Sequence, residues 1–359
     1  MGLFAGNADL GNERFSHDHI ASTLRPRFQQ LIILPTEKCN FRCTYCYEDF
    51  VIGRMREPVQ AAIERYMDRR VPGLRELSIS WFGGEPLVAK AVVLRLSSYA
   101  HQLCRQHGVN LSGGLTTNSY LLDFQLFEEL LSYDQRFFQI TLDGWNDGHN
   151  AVRKLANGKG TFDRIWGNLL ATRDSKECFA IQIRIHVRRD NYSSLETLVD
   201  HIAAEFGGDS RYTLDYEHLR NLGGEGGMTV DRPLSLAELK ELEVGLRARF
   251  DATVGATSKR GIPTSLGSAP AIDELAKNGS PEAVPYICYA SKPNSLLIRA
   301  DGRIGKCTVA LNDDRNTIGK INEDGTLTID NAKLQPWVRG LSTLEEKALE
   351  CPLSGMART

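Results

Sequence analysis

Three cysteines with close spacing lie near the N-terminal end of the chain. Cys39, Cys43 and Cys46 have the spacing C-x3-C-x2-C and directly follow an apolar run over residues 30–35. Thiolates are the usual ligands of iron–sulfur clusters, and three of them on one short loop can hold three irons of a [4Fe–4S] cluster. The fourth iron then has no protein ligand and stays open for chemistry, much as a catalytic zinc keeps an open position.

A zinc site is the alternative interpretation of this motif. Structural zinc takes four ligands, and no further Cys or His lies at a usual spacing from the three cysteines. The pattern therefore favours an iron–sulfur cluster with one open iron over a closed zinc site.

A second set of cysteines lies in the last quarter of the chain. Cys288 and Cys307 enclose a predicted hairpin, and Cys351 follows near the end. These thiolates could hold one further cluster, and buried free thiols are the alternative interpretation. The remaining two cysteines, Cys104 and Cys178, fall on helix or connector patterns. We interpret both as structural.

Strands that alternate with helices must position these cysteines. Six apolar or alternating runs predict strands over residues 30–35, 77–82, 111–116, 138–143, 181–187 and 212–216. Helical patterns lie between them at residues 58–69, 89–105, 122–131, 162–173 and 195–206. Such alternation predicts a parallel sheet, because each crossover needs a covering helix. The expected fold class is α/β, with a partial (β/α)6 barrel whose chemistry collects at the carboxyl ends of the strands.

The alternation of strand and helix patterns ends after residue 220. A glycine-rich stretch at residues 223–227 predicts a flexible break, and a capping box at Ser235 and Glu238 opens a helix to about Phe250. Asp301-Gly302 and Asp324-Gly325 predict hairpin turns in a small β-rich module. We therefore expect an N-terminal extension (1–28), a barrel (29–220), a connector with helix and loop (221–285) and a C-terminal module (286–359).

Composition limits the kinds of partner. The chain has 43 basic and 45 acidic residues and a net charge of −2, so a broad nucleic-acid surface is excluded and no DNA partner is expected. No apolar stretch approaches the roughly 20 residues of a membrane span. The N-terminus lacks a secretory signal, and the cysteines are expected to stay reduced. These features predict a cytoplasmic protein with no membrane partner.

With the polar motifs at the predicted strand ends, the chain resembles the radical S-adenosylmethionine (SAM) superfamily. The resemblance covers residues 30 to about 216. It rests on the cysteine motif, Gly83-Gly84-Glu85-Pro86, Thr117-Asn118, the run Thr141-Leu142-Asp143-Gly144, and Arg153. Gly160-Thr161-Phe162 is typical of the branch that matures peptides and proteins.

The resemblance implies that SAM binds the open iron of a [4Fe–4S] cluster. One electron, from a donor such as ferredoxin or flavodoxin, would then cleave SAM to methionine and a 5′-deoxyadenosyl radical that abstracts hydrogen. Gly83, Gly84 and Glu85 would line the amine of SAM. The candidates for ribose and carboxylate contacts, or for facing the site, are Asn118, Thr141, Arg153 and Arg184.

The second cysteine set resembles a SPASM or twitch module, which holds auxiliary clusters in this superfamily. Too few cysteines remain for two auxiliary clusters held by cysteine alone, and Ser354 stands near where a twitch module carries a fourth cysteine. The resemblance implies one auxiliary [4Fe–4S] cluster on Cys288, Cys307 and Cys351. Its fourth iron would be open or would bind a residue other than cysteine.

This branch implies a radical enzyme, an oxidoreductase or cyclase, that installs a modification such as a crosslink in a ribosomally made precursor peptide with a leader. Sulfatase-maturase-like oxidation of Ser or Cys is the alternative, although those enzymes usually carry Gln at the position of Phe82 and a basic Asp at that of Thr308. The catalytic base is unassigned, with Asp215 and Glu217 as candidates.

A twitch-type small-molecule dehydrogenase and a metal-stabilised peptide-binding module are further alternatives. Tyr45 and Tyr47, beside Cys46, are expected to pack around the cluster.

Overall fold

A ten-stranded sheet forms the centre of the protein. The computed structural model describes residues 20–21, 23–230, 232–258 and 286–356. Six strands lie side by side in chain order and pair in parallel: β1 (Phe28–Ile33), β2 (Glu76–Trp81), β3 (Asn110–Thr117), β4 (Gln135–Thr141), β5 (Ala180–Val187) and β6 (Tyr212–His218). All six predicted strands and the α/β fold class are confirmed.

Helices cross over between consecutive parallel strands. They are α1 (Glu57–Arg70), α2 (Lys90–His107), α3 (Phe124–Ser132), α4 (Asp147–Val152), α5 (Phe162–Ala171) and α6 (Tyr192–Phe206), followed by α7 (Gly224–Gly227) and α8 (Leu236–Ser258). Local sequence explains their ends. Pro58 lies in the first turn of α1, where its missing N–H costs nothing. The Asp123 side chain caps α3 by accepting from Leu126 N.

The two faces of the sheet differ in character. One row of side chains, which includes Ile79 and Ile183, is fully buried in the main hydrophobic core with the apolar faces of the helices. The register places polar residues on the other face, which we call the polar face: Ser80, Thr116, Thr141, Arg184 and Asp215. Successive strand residues alternate between faces, so the core and the polar face follow from the same strands.

The C-terminal segment extends the same sheet. Its strands are β7 (Ser295–Ile298), β8 (Arg303–Gly305), β9 (Gly319–Ile321) and β10 (Leu327–Ile329), followed by α9 (Asn331–Val338), α10 (Gly340–Thr343) and α11 (Glu346–Glu350). Strand β7 pairs in parallel with β1, and β8 to β10 continue antiparallel. Gly302 and Gly325 have φ of 88° and 81° in the two predicted hairpin turns, so both turns are confirmed.

A buried ion pair fastens this segment to the barrel. Arg299, directly after β7, donates Nε and Nη2 to the Glu37 carboxylate at 2.8 and 2.7 Å. Both side chains are about 95% buried. Because Glu37 belongs to the loop that carries the first cysteines, the C-terminal segment is fixed directly to that loop.

Parts of three predicted segments cannot be compared with the structure. The described residues leave out residues 1–19 and 22 of the predicted extension, residues 231 and 259–285 of the predicted connector, and residues 357–359 of the predicted C-terminal module. Within the described part of the chain, no helix combines the length and the hydrophobicity that a membrane span requires. The predicted domain boundaries stay predictions.

Candidate functional site

The first three cysteines lie on the loop that joins β1 to α1, which we call the cysteine loop (residues 34–56). Its backbone is tied to the segment after α4, since Arg42 N donates to Lys154 O at 2.8 Å and Thr44 N donates to Val152 O at 3.0 Å. Cys46 N donates to Cys43 O at 3.1 Å, and Phe41 N donates to Cys39 Sγ at 3.3 Å. Backbone hydrogen bonds therefore position the loop at the carboxyl end of β1.

The three thiols share one buried environment. Burial raises the pKa of Cys39 and Cys43 above the usual thiol range and that of Cys46 to about 12. The charges of Cys43 and Cys46 raise the pKa of Cys39 further. Buried thiolates in mutual repulsion need a compensating cation, because an isolated charge is costly away from water. The donor set thus fits iron, which compensates the thiolate charge.

The described side chains do not converge as ligands of a single ion. Nowhere in residues 23–230, 232–258 and 286–356 do three His, Cys, Asp or Glu side chains group closely enough to bind one metal ion. A zinc ion needs its sulfur ligands at about 2.3 Å from one point, whereas each thiolate of a cluster binds a different iron. The zinc and cluster interpretations therefore differ in the geometry that they require of the three thiols.

The glycine motif after β2 packs against the start of the cysteine loop. Gly83 and Gly84 have φ of 87° and 51°, conformations that favour glycine. A Cβ atom on Gly84 would lie 2.3 Å from Lys38 O, and Glu85 N donates to Lys38 O at 3.1 Å. Gly84 N donates to the Glu48 carboxylate at 2.7 Å. Only glycine permits this approach between the motif and the loop.

The Glu85 side chain is held in the protein interior by three hydrogen bonds, and its charge raises the pKa of Cys39. Its fully buried carboxylate accepts from Leu87 N at 3.0 Å, from Thr117 Oγ1 at 2.8 Å and from Asn118 N at 2.6 Å. Burial raises the pKa of Glu85, and these donors oppose the shift. Glu85 therefore joins the ends of β2 and β3. The predicted contact of Glu85 with SAM stays a prediction and would use its backbone.

Asn118 positions the cysteine loop from the end of β3. Its Nδ2 donates to Asn40 Oδ1 at 2.8 Å and lies 3.9 Å from Cys39 Sγ. The predicted SAM contact of Asn118 is not tested by this geometry. The contact places Asn118 beside the first cysteine.

Arg153 belongs to a buried polar network beside the other two cysteines. Its Nη1 donates to the Tyr45 hydroxyl at 2.8 Å, and that hydroxyl donates to the Asp143 carboxylate. Asp143 also contacts His186 Nδ1 at 3.1 Å. Arg153 Nε is buried with no hydrogen-bond partner among the described residues. A buried, unsatisfied guanidinium donor fits an anionic ligand such as a carboxylate, as predicted for the carboxylate of SAM.

Charge within this network determines the state of Asp143. Burial alone would raise the pKa of this fully buried carboxyl, but the positive charges of His186 and Arg153 lower it below the usual range. Sequence reasoning missed His186, and it assigned Tyr45 to packing alone. Two signals could have found them: Tyr45 precedes the third cysteine, and His186 shares the polar face with Arg184.

Four predicted residues meet on the β4–β6 side of the polar face. Thr141 and Arg184 are register neighbours, and Arg184 donates to the Asp215 carboxylate through Nε at 2.8 Å and Nη2 at 2.6 Å. Glu217 is the register neighbour of His186. The structure thus brings a predicted SAM contact and a candidate base together as an ion pair. Their roles stay predictions.

The second set of cysteines also gathers in one place. Burial raises the pKa of Cys288 to about 11, and the charges of Cys307 and Cys351 raise it further. Cys288 N donates to Leu349 O at 2.9 Å, which ties this cysteine to α11 just before Cys351. The three cysteines therefore lie within electrostatic range of one another, and their role as ligands of an auxiliary cluster stays a prediction. Cys104 is buried within α2 and Cys178 is exposed.

Two tyrosines lie between the cysteine sets. Burial raises the pKa of Tyr47 strongly, and the charges of Glu48 and Tyr289, followed by those of Cys46 and Cys307, raise it further. The Tyr289 hydroxyl lies 2.8 Å from Thr308 Oγ1 and accepts from Thr308 N at 2.9 Å. Phe82 and Tyr289 each pack against a small buried apolar cluster, which consists of Ile32, Leu34, Leu297 and Leu311. Of the two positions at which the sequence departs from the sulfatase maturases, Thr308 therefore contacts Tyr289 directly.

A cavity of about 420 Å³ borders the cysteine loop. Thr44 and Tyr45 line one side, residues 187–190 after β5 line another, and residues 229–230 and 232–234 line the third. It is large enough for a small ligand or a few residues of a peptide.

Comparison with known proteins gives one family and several relatives. The radical SAM superfamily model matches residues 33–202. The serine-type anaerobic sulfatase-maturating enzyme of Klebsiella pneumoniae is 34% identical over 94 residues, which is 24% of this chain and 22% of that protein. The GTP 3′,8-cyclase of Microcystis aeruginosa is 26% identical over 332 residues, which is 86% of this chain and 88% of that protein. The chain thus spans about a fifth of the sulfatase-maturating relative.

Two solved structures have a similar fold. The first is native anSMEcpe with bound AdoMet and the Cp18Cys peptide, with a TM-score of 0.56, 18% identity and coverage of 86% of this chain and 80% of that one. The second is Streptococcus suis SuiB bound to the precursor peptide SuiA, with a TM-score of 0.56, 16% identity and coverage of 95% and 75%.

The family match begins at the end of β1 and includes the three cysteines, the glycine motif and the Arg153 network. SAM and a [4Fe–4S] cluster are the cofactors of this family; the cysteine spacing predicts the cluster, and the resemblance implies SAM. On these grounds, residues 33–202 of the chain form a radical SAM domain.

Proposed function

We propose that this protein is a radical SAM enzyme that modifies a ribosomally made peptide, with a crosslink as the modification. The observation that carries the proposal is the second cysteine triad, Cys288, Cys307 and Cys351, whose thiols interact beside a strand that extends the barrel sheet. The fold is shared with two proteins crystallised with peptides, which supports a peptide as the substrate.

Each part of the site has a proposed role. Cys39, Cys43 and Cys46 hold the cluster, which with SAM supplies a radical that abstracts hydrogen from the substrate. The remaining residues bind and orient SAM. The backbone of Gly83, Gly84 and Glu85 faces its amine, while Asn118, Thr141, Arg153 and Arg184 contact its ribose or carboxylate. The orphaned Arg153 Nε supports the carboxylate contact.

The C-terminal triad would hold one auxiliary [4Fe–4S] cluster close to the substrate. Asp215 and Glu217, on the polar face, are the candidate bases that accept a substrate proton. Asp215 is held in an ion pair with Arg184, and this pair would have to open before Asp215 could contact a substrate proton. We therefore prefer Glu217 of the two.

Oxidation of Ser or Cys in a sulfatase is the second candidate function, supported by the 34% identity to a serine-type sulfatase-maturating enzyme. The region around Tyr289 argues for a different reaction. At the position of the basic Asp stands Thr308, whose hydroxyl contacts Tyr289, and neither group is a strong base at neutral pH. We therefore favour the crosslink.

The proposed partners follow from this chemistry. The substrate is a precursor peptide with a leader segment, for which the 420 Å³ cavity beside the cysteine loop is the proposed entry. A ferredoxin or flavodoxin would donate the electron that SAM cleavage consumes. We propose a cytoplasmic location, with no DNA and no membrane partner.

The test is an anaerobic assay of the reconstituted protein with SAM, dithionite and candidate precursor peptides from neighbouring genes. The expected products are 5′-deoxyadenosine and a peptide lighter by two hydrogens that carries an intramolecular bond. Cys46→Ala should abolish both products, whereas Cys178→Ala, which changes an exposed thiol, should retain them.

The outcome separates the alternatives. Oxidation of a Ser or Cys side chain to an aldehyde would support the sulfatase-maturase candidate, and turnover of GTP or another small molecule would exclude the peptide proposal. Bound zinc without 5′-deoxyadenosine would leave only a metal-stabilised binding module.

A further inference from the structure

A glycine-rich turn lies directly on the cysteine loop. Residues 223–229, which we call the glycine turn, follow β6 and include the short helix α7. The sequence predicts a flexible break at this point, since glycine lowers the cost of an open chain. The structure instead packs the turn against the part of the loop that carries Cys46.

The packing brings two backbones into unusually close contact. A Cβ atom on Gly226 would lie 2.4 Å from Cys46 O and 2.6 Å from Cys46 N. On Gly224 it would lie 2.3 Å from Tyr47 O. Backbone atoms cannot rotate away as the end of a side chain can, so both positions require glycine.

A side-chain hydrogen bond adds to this contact. Thr229 Oγ1 donates to Thr44 O at 2.9 Å and approaches Gly226 O at 2.7 Å. The contacts therefore span residues 44–47 and lie on both sides of the third cysteine.

The two ends of the cysteine motif are held by different elements. The Cys39 end is fixed by Asn118 through Asn40 and by the glycine motif through Lys38. Gly224, Gly226 and Thr229 contact the Cys46 end. A ligand loop must be held to within about 0.5 Å for productive geometry, and each end has its own support.

We propose that the glycine turn is a positioning element for the first cluster: it fixes the backbone of residues 44–47 and thereby sets where Cys46 meets its iron. The inference rests on the assignment of Cys39, Cys43 and Cys46 to the cluster, and it is independent of the peptide substrate. Because the turn continues into residues 229–230 and 232–234 of the cavity wall, it also connects that cavity to the third ligand.

A matched pair of substitutions tests the proposal. Gly226→Ala introduces the clash with Cys46. Gly227→Ala makes the same change one residue later, where the nearest atom to the new Cβ is Asn221 Oδ1 at 3.3 Å. A shift of a few tenths of an ångström relieves that contact, so the hydrogen bond from Gly223 N to Asn221 Oδ1 can be kept. Both sit in the same short helix, so the change in helix propensity is shared.

The measurement is the half-time of iron removal by a ferrous chelator under anaerobic conditions. It is made on the whole chain with Cys288, Cys307 and Cys351 changed to Ala, so that all the iron released comes from the first cluster. We expect Gly226→Ala to lose iron about tenfold faster, the scale of a lost outer-shell contact. The electron paramagnetic resonance spectrum of its reduced cluster should also change. Gly227→Ala should match the parent protein in both.

A second variant keeps the test valid if Gly226→Ala does not fold. Thr229→Val removes the hydrogen bond to Thr44 O at an exposed position while retaining the side-chain shape. It should lose iron about threefold faster, consistent with one hydrogen bond. Equal half-times for Thr229→Val and the parent, or equal losses in the two alanine variants with unchanged spectra, would overturn the proposal. Failure to modify any peptide would leave it intact.

Discussion

At the scale of single residues, the buried network around Arg153 connects the cysteine loop to the polar face. Tyr45 lies between the Arg153 guanidinium and the Asp143 carboxylate, and its ring also contacts the His186 ring edge-on at 5.2 Å. Hydrogen bonds to charged partners contribute more than neutral ones. We therefore expect the Tyr45 hydroxyl to hold Arg153 in the orientation that leaves its Nε free for a ligand.

Tyr45→Phe tests this role. Removal of the hydroxyl deprives both charged partners of a hydrogen bond, so we expect SAM to bind about tenfold more weakly, equivalent to roughly 1.4 kcal/mol. Calorimetric titration of SAM into the anaerobic, cluster-loaded protein measures the change. Tyr99→Phe is the control, because it removes a comparable Tyr–Asp hydrogen bond on the surface. Equal SAM affinity in the two variants would contradict the role of Tyr45.

His149 provides a pH-dependent test of the same region. Its Nδ1 accepts from Asp143 N at 3.3 Å and its Nε2 lies 3.2 Å from Thr161 Oγ1, which itself donates to Arg153 O. This arrangement suits the neutral ring. Burial, together with the Arg153 charge, lowers the pKa of His149 to about 3.

The sign of the pH effect follows from this lowered pKa. The unfolded chain takes up a proton near pH 6.5 and the folded protein does not, so stability falls as the pH drops below about 6.5, by up to about 1.4 kcal/mol per pH unit. In His149→Gln this contribution is absent, and its loss of thermal stability between pH 7 and pH 5 should be smaller than that of the parent protein. Parallel melting curves across that range would count against a neutral buried His149.

At the scale of elements, the pairing of β7 with β1 and the Arg299–Glu37 ion pair attach the C-terminal segment to the cysteine loop. Removing one member of a buried pair strands the other charge and costs about 3–5 kcal/mol. Arg299→Met should therefore lower the free energy of unfolding by that amount, measured by anaerobic urea denaturation. Arg303→Met, which removes an exposed ion pair with Asp301, should change it by less than about 1 kcal/mol.

A double variant separates charge from packing. Arg299→Met combined with Glu37→Leu leaves no stranded charge, so it should recover part of the stability that the single variant loses. Leu311 O, which accepts from Arg299 Nη1 in the parent, still lacks its donor and prevents full recovery. If the double variant were less stable than Arg299→Met, desolvated charge would not be the cause of the loss.

Local sequence patterns predict the six parallel strands and their helices closely, because hydrophobic periodicity and helix-capping residues are encoded within a few positions. The strand at 181–187 differs from Ala180–Val187 by one residue at its start. The β7–β1 pairing joins residues more than 260 positions apart, such as Gln30 and Ser295, and no local pattern contains it. Likewise, the fit of Gly226 on Cys46 depends on the fold, so the sequence alone suggests only a break.

The cysteine sites show the same difference between features that local sequence predicts and features that depend on the fold. Spacing identifies Cys39, Cys43 and Cys46, because their loop is continuous in sequence. The contact between Arg184 and Asp215 could not be predicted, since it depends on which residues become register neighbours in β5 and β6. Glu85 shows that a motif residue can serve the fold, as its carboxylate joins two strand ends.

At the scale of the whole molecule, contacts between protein groups attach the C-terminal segment, with its three cysteines, to the barrel sheet. The C-terminal segment is tied to β1 by backbone pairing, and to α1 by bonds from Arg65 Nη1 to Glu323 O at 2.6 Å and from Arg69 Nε to Asp324 O at 3.1 Å. Trp337 is fully buried in the main core. We therefore expect the second triad to be dispensable for folding.

Replacing Cys288, Cys307 and Cys351 together with Ala tests this expectation and the proposed auxiliary cluster. The parent protein should hold about eight irons per chain and the variant about four, as for two and one [4Fe–4S] clusters. Since Cys39, Cys43 and Cys46 are unchanged, the variant should still form 5′-deoxyadenosine from SAM but should no longer convert the peptide. Iron analysis, melting temperature and product mass are the measurements. The matched control, Cys104→Ala with Cys178→Ala, should keep about eight irons. A parent protein with about four irons, or a variant that still converts the peptide, would show that the second triad holds no working cluster.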